Sequence, residues 1–191
     1  MNAAVFISGS GTNLEALLNR DLHVKIGLVI SDNEAAYGLK RAEKYGVPHQ
    51  YVPARGRPKA EYEQEVLKLL KAYDIDMIIL AGYMRFVGPT LLEAYPSRII
   101  NIHPAYLPEF PGAHGIADAW HAGVSETGVT VHYVDAGVDT GPVILQERVP
   151  VKPGCSLEEL EADVHAKEYD LFWRAVNVAA GQIREKEEEL K

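Results

Sequence analysis

The feature that most constrains this chain is the alternation, through its first half, of short β-branched apolar runs with stretches of helical spacing. Ala3 to Ile7, Val24 to Ile30, His49 to Val52, Met77 to Ala81 and Ile99 to His103 read as strands. Between them, Asn13 to Arg20, Tyr37 to Tyr45 and Lys59 to Tyr73 carry apolar residues at helical spacing, with Tyr62, Val66, Leu69 and Leu70 on one face of the last. Parallel strands need long crossovers, usually helices. The pattern therefore predicts an open, mostly parallel twisted sheet with helices on both faces, a Rossmann-like α/β fold.

After His103 the texture changes. Pro104, Pro108, Pro111 and Gly112 demand a long irregular loop, and ordered long loops in compact domains are usually functional. Thr130 to Val134 and Val143 to Val151 read as two further strands joined through the turn-rich segment Asp135 to Pro142, antiparallel additions to the sheet. Ser156 to about Ala180 reads as one long amphipathic helix, opened by a capping box of Ser156 with Glu159 three residues on. No repeat or low-complexity linker divides the 191 residues, so residues 1–191 read as a single domain.

Charge and cysteine usage narrow the function. Lys+Arg 19 against Asp+Glu 27 leaves a net charge of −8, which repels phosphate backbones, so no nucleic-acid partner is expected. Cys155 is the only cysteine, which rules out an internal disulfide or a cysteine zinc cage and suits a reducing compartment. The first apolar run lacks a basic leader and is followed at once by Ser-Gly-Ser-Gly, so it reads as neither signal peptide nor membrane span. The expectation is a cytoplasmic monomer or homodimer acting on small molecules. His114 and His121 have no third ligand at metal spacing, so no metal is expected, and His23, His49, His114, His121 and His132 are assigned surface or loop roles.

Chemistry concentrates in three places. A strand running into Ser8-Gly9-Ser10-Gly11-Thr12-Asn13 and then a helix brings backbone N–H groups together as an anion site, or simply makes a tight turn. Asp32 lies where a dinucleotide fold keeps its ribose-binding acid, but Leu14 stands in place of the third glycine, and a small phosphorylated metabolite fits better. Alternation along Asn101-Ile102-His103 points both polar side chains to one face, at a strand end where α/β folds bind ligands. An amide donor beside an imidazole suits a reaction that builds charge on a carbonyl oxygen, as acyl transfer does. Asp139, in a tight loop before an apolar strand, is either the carboxylate that orients such an imidazole or an Asp capping its own turn. Glu168 lies in line with Leu160, Val164, Phe172 and Ala175 on the last helix, an acid among core positions that either meets a partner or reaches water at the stripe's edge.

Taken together, Gly-Ser-Gly-Thr-Asn-Leu near the amino terminus, Asn101 to Pro108 with Pro111-Gly112-Ala113-His114, and Asp139-Thr140-Gly141-Pro142-Val143-Ile144 resemble the phosphoribosylglycinamide formyltransferase family. These are folate-dependent enzymes of purine synthesis. The resemblance implies formyl transfer from 10-formyltetrahydrofolate to glycinamide ribonucleotide, with Asn101, His103 and Asp139 catalytic. Gly11, Thr12 and Asn13 would hold the phosphate and Glu168 the ribose hydroxyls. Met84, Arg85, Phe86 and Val87 would contact the folate, largely through backbone atoms and an apolar pterin pocket, together with Asn101 and Asp139. Lys59 stands where the family often has an Arg near the folate glutamate tail, and Gly115-Ile116 departs from the Thr-His of one branch. The Asn-x-His…Asp set is shared by the wider superfamily, so formyltetrahydrofolate hydrolysis is one alternative. A nucleotide-sensing domain built on Gly9, Gly11 and Asp32 is another.

Overall fold

In the computed structural model, which describes residues 1–191, all the strands read from the sequence join one sheet. They are β1 (Asn2–Ile7), β2 (Lys25–Ser31), β3 (His49–Tyr51), β4 (Met77–Leu80), β5 (Ile99–His103), β6 (Glu126–Tyr133) and β7 (Val143–Pro150), in the order β3-β2-β1-β4-β5-β6-β7. The first five run parallel, and β6 and β7 are added antiparallel. The helices are α1 (Thr12–Leu18), α2 (Tyr37–Lys44), α3 (Lys59–Ala72), α4 (Pro89–Ala94), α5 (Gly115–Ala122) and α6 (Leu157–Glu189).

Period-2 alternation explains the layers. Along β1, Ala3, Val5 and Ile7 enter one core with residues of α1, α2, α5 and α6, while Ala4 and Phe6 enter the other with α3 and α4. A strand covered on both faces reads as a continuous apolar run, which is why Ala3 to Ile7 shows no polar alternation. Phe6, Leu28, Met77 and Phe172 are wholly buried, and each such side chain contributes on the order of 1.5–3 kcal/mol.

Three differences from the sequence reading have physical causes. The long helix does not stop near Ala180: Ile183 is still buried, and the helix runs on into the acidic residues 185–189, whose charge reads as a solvated helix end and among which Glu187 pairs with Arg98 at 2.7 Å. Its start is as read, with Glu159 N–H donating to Ser156 Oγ (3.1 Å) and Ser156 N–H to Glu159 Oε2 (2.7 Å). Within the stretch after His103, residues 115–122 form α5, whose buried side consists of Gly115, Ile116 and Ala119. Pro89 opens the six-residue α4, which is too short to show a period.

Candidate active site at the carboxyl ends of the parallel strands

From β1 the chain builds outward through β2 and β3, and from β4 it builds the other way through β5. The crevice between the carboxyl ends of β1 and β4 is thus the switch point at which open α/β sheets bind ligands. The segments beginning at Ser8, Ala81 and Pro104 leave strands at this edge.

At the first segment Gly11 is the N-cap of α1 with φ 72°, a left-handed conformation, and a Cβ there would lie 2.5 Å from the Gly38 Cα. Close helix packing is thus achieved by two glycines facing each other across α1 and α2, which frees Leu14 to enter the core. Glu15 in the first turn of α1 would repel an anion, but Arg41 pairs with it and also donates from Nε to the Ser10 carbonyl at 2.7 Å. Asp32, the residue that suggested a dinucleotide, accepts a 2.6 Å hydrogen bond from Ser8 Oγ.

Asn13 and Glu168, 155 residues apart, meet here, Asn13 Nδ2 lying 3.5 Å from Glu168 Oε2. Glu168 does not reach water at the edge of its stripe: it is 4% exposed and accepts from His165 Nδ1 at 2.7 Å. That hydrogen bond, opposed by partial burial, raises the His165 pKa above its ordinary value. The Asn13 Oδ1 atom is buried with no hydrogen-bond partner, an acceptor left over beside the carboxylate.

The second cluster forms where β5 meets β6. Asn101 pairs with His132 across the two strands, and His103 pairs with Thr130. His103 Nδ1 lies 3.5 Å from Asp139 Oδ2, and His132 Nε2 lies 3.6 Å from Asp139 Oδ1 and 3.4 Å from Asn101 Nδ2. A carbonyl can only accept, so the remaining ring nitrogens must be donors: His103 Nε2 to the Phe110 carbonyl (2.8 Å) and His132 Nδ1 to the Tyr133 carbonyl (2.9 Å). The Gly112 N–H donates to Asp139 Oδ2 at 2.8 Å. Burial pushes the Asp139 carboxyl up, but the His132 ring, the Gly112 N–H and the charge of His103 outweigh it and hold the group below the ordinary carboxylate value. Capping of this loop falls to Asp135, which accepts from Thr140 Oγ1 and the Gly137 N–H, leaving Asp139 to face the histidines. A Cβ on Gly141 would lie 1.7 Å from the Tyr133 carbonyl oxygen, so only glycine lets the loop close against β6. Thr130, also buried, ties the Pro-rich loop back by donating to the Ala105 carbonyl (2.8 Å) and accepting from the Leu107 N–H (3.1 Å).

In the third segment, Met84 and Phe86 are 76% and 68% exposed, unusual for apolar side chains beside a crevice. The Met84 N–H donates to Ser8 Oγ at 2.9 Å, so this segment is joined to the start of the Gly-rich loop. Arg85 stacks 5.5 Å over the Tyr62 ring, and Val87 packs partly buried on the α3 side of the core. Lys59, at the start of α3, is exposed, with its stem reaching toward Gly88.

The sequence pattern described as formyl transferase matches residues 1–176. The chain belongs to the formyl transferase family. A phosphoribosylglycinamide formyltransferase from Bacillus subtilis (strain 168) is 41% identical over 174 residues, covering 88% of this chain and 89% of that protein. The crystal structure of the phosphoribosylglycinamide formyltransferase from Streptococcus pneumoniae TIGR4 superposes with a TM-score of 0.87 at 49% identity, covering 92% of this chain and 96% of that one. A trifunctional purine biosynthetic protein, adenosine-3, from Drosophila pseudoobscura pseudoobscura is 42% identical over 189 residues, 95% of this chain but 14% of that longer protein.

Membership in the formyl transferase family implies a formyl-folate co-substrate. No helix is long and apolar enough to cross a membrane. Of the residues singled out from sequence, the structure brings Asn101, His103 and Asp139 together, and separately Asn13 and Glu168. His132 corrects the surface or loop role given to it: it is 2% exposed and touches both Asn101 and Asp139. Its signal, a polar residue alternating with Thr130 along a β-branched strand, acquires meaning only from the β5–β6 register. His114 stays outside the cluster as the exposed N-cap of α5, whereas Gly115 packs against His103, where a Cβ would lie 3.3 Å from Nε2.

Proposed function

We propose that this chain transfers the formyl group of 10-formyltetrahydrofolate to the amine of glycinamide ribonucleotide, and that it does so in the cytoplasm as a monomer or homodimer. The observation that carries the reading is the convergence of an amide, two imidazoles and an ionised carboxylate on one face of β5 and β6, beside a Gly-rich loop at the switch point. In this reading Gly11, Thr12 and Asn13 receive the phosphate through backbone and side-chain donors at the start of α1, and Glu168 accepts from the ribose hydroxyls. The folate lies against the Met84 to Val87 segment, from which Met84 and Phe86 stand exposed, with Lys59 near its glutamate tail and Asn101 and Asp139 at its reacting end.

The amine nitrogen attacks the formyl carbon and the carbonyl π pair moves onto oxygen, giving a tetrahedral oxyanion. Asn101 Nδ2–H and His103 meet that charge. Because the His103 Nε2–H is occupied by the Phe110 carbonyl, Nδ1 is the nitrogen that handles the moving proton, and it faces the Asp139 carboxylate. Collapse re-forms the carbonyl and breaks the bond to the folate nitrogen, which gains the proton the amine loses. No electrons are exchanged, and the balance requires no metal and no covalent enzyme intermediate. Following folate absorbance with and without glycinamide ribonucleotide tests the reading: transfer requires the ribonucleotide, hydrolysis proceeds without it, and a sensing domain changes nothing. In Asn101→Ala and His103→Ala, loss of one oxyanion donor should lower kcat by about 10²–10³, with a far smaller change in substrate affinity.

A further inference from the structure

Glu63 on α3 is 2% exposed, yet it belongs to a residue type almost never fully buried unless paired. Its Oε1 accepts a 2.5 Å hydrogen bond from the Gly88 N–H, while its Oε2 is buried with no partner at all. No basic side chain forms an ion pair with it. An isolated carboxylate kept from water in this way is unfavourable for the fold by itself, so the contact it makes calls for a reason.

Gly88 closes the Gly82 to Val87 segment and is the N-cap of α4. The other end of the segment is held by Ser8, whose N–H donates to the Gly82 carbonyl (3.1 Å) and whose Oγ accepts from the Met84 N–H (2.9 Å). Between the two ends, the Tyr83 and Tyr62 hydroxyls share a 2.7 Å hydrogen bond and Arg85 lies over the Tyr62 ring. Tyr62 immediately precedes Glu63, so α3 grips the segment at its middle and at its far end. This frame holds Met84 and Phe86 out into solvent, where two apolar side chains on an untethered loop would instead fold back. A Cβ on Gly88 would lie 2.9 Å from both Glu63 oxygens and 2.7 Å from Lys59 Cδ, so glycine is needed for the contact.

We propose that Glu63 is a positioning residue for formyl-folate: through the Gly88 N–H it fixes the far end of the Met84 to Val87 segment in the shape that receives the pterin. The inference rests on the assignment of that segment to folate. It is tested by steady-state kinetics on the full chain, varying 10-formyltetrahydrofolate and glycinamide ribonucleotide in turn. Glu63→Ala should raise the KM for the folate about tenfold or more, the scale of a lost hydrogen bond to a charged group. The KM for the ribonucleotide and kcat should stay within about twofold. Glu63→Gln keeps an acceptor for the Gly88 N–H and should restore the folate KM to within about threefold. Gly88→Ala approaches the same contact from the other side, should again raise the folate KM alone, and decides the matter should Glu63→Ala not fold. An unchanged folate KM in Gly88→Ala, or equal rises for both substrates, would overturn the inference. Phe86→Ala separates the two levels. If it raises the folate KM while the Glu63 and Gly88 variants do not, only the role of Glu63 fails. If the Phe86, Glu63 and Gly88 variants all leave the folate KM unchanged, the assignment of the segment fails and takes the inference with it.

Discussion

Gly11→Ala is the perturbation whose size the structure specifies best. Gly11 has φ 72°, and its added methyl would sit 2.5 Å from the Gly38 Cα, a backbone atom held by the Gly38 N–H donating to the Gly9 carbonyl at 3.1 Å. An L-residue in the left-handed region costs about 1–2 kcal/mol, and forcing a methyl into a packed contact costs about 1–3 kcal/mol. Their sum centres near 3.5 kcal/mol, which for a chain of this length lowers Tm by roughly 7–14 °C. Gly9→Ala is the control, since nothing lies within 4 Å of its Cβ and its φ is not positive. Thermal melts of the two variants, followed by calorimetry with glycinamide ribonucleotide and with the folate separately, complete the test. Gly11→Ala should melt well below Gly9→Ala and lose ribonucleotide affinity while keeping folate affinity. A Tm within 2 °C of the parent would refute the strain argument, and unchanged ribonucleotide affinity would reduce this loop to a strand-to-helix turn.

Three further outcomes follow from the charged groups. His132→Leu removes a contact that helps hold Asp139 below the ordinary carboxylate value; activity that needs ionised Asp139 is lost as pH falls through its pKa, so the acid limb of the rate profile should move to higher pH. Asp139→Asn, which removes the carboxylate 3.5 Å from His103 Nδ1, should lower kcat with little change in either substrate's KM, and an unchanged kcat would remove Asp139 from its proposed role. The raised His165 pKa makes its pairing with Glu168 stabilising below the ordinary histidine value, with that stability lost as pH rises through the folded value; Glu168→Gln should abolish this pH dependence in denaturant titrations.

The parallel half of the fold was legible because strands buried on both faces must be continuously apolar, and the crossovers between them must carry helical spacing. Glu168 was legible for the related reason that an acid in line with Leu160 and Phe172 must meet something. Glu63 carried the same kind of signal, standing three and seven residues before the buried Val66 and Leu70, but a stripe drawn through Tyr62 and Leu69 passed it by. α5 was hidden because its buried face consists of a glycine and two apolar residues behind a run of prolines, which masks any period. His132 lay beyond local reasoning altogether: its role depends on an antiparallel register that pairs it with Asn101, 31 residues away. The pairing of Gly11 with Gly38 was equally non-local, since only the packing of α1 against α2 explains why a third glycine after Gly11 was not needed.

The most direct test of direct transfer follows the carbon itself. With 10-formyltetrahydrofolate carrying ¹³C in its formyl group, ¹³C NMR should show the label appearing as a formamide carbon on glycinamide ribonucleotide at the rate at which the folate is consumed. Asn101→Ala, His103→Ala and Asp139→Asn should each slow that conversion without diverting the label. Release of ¹³C-formate at the same rate whether or not the ribonucleotide is present would contradict the transfer and assign the site to hydrolysis.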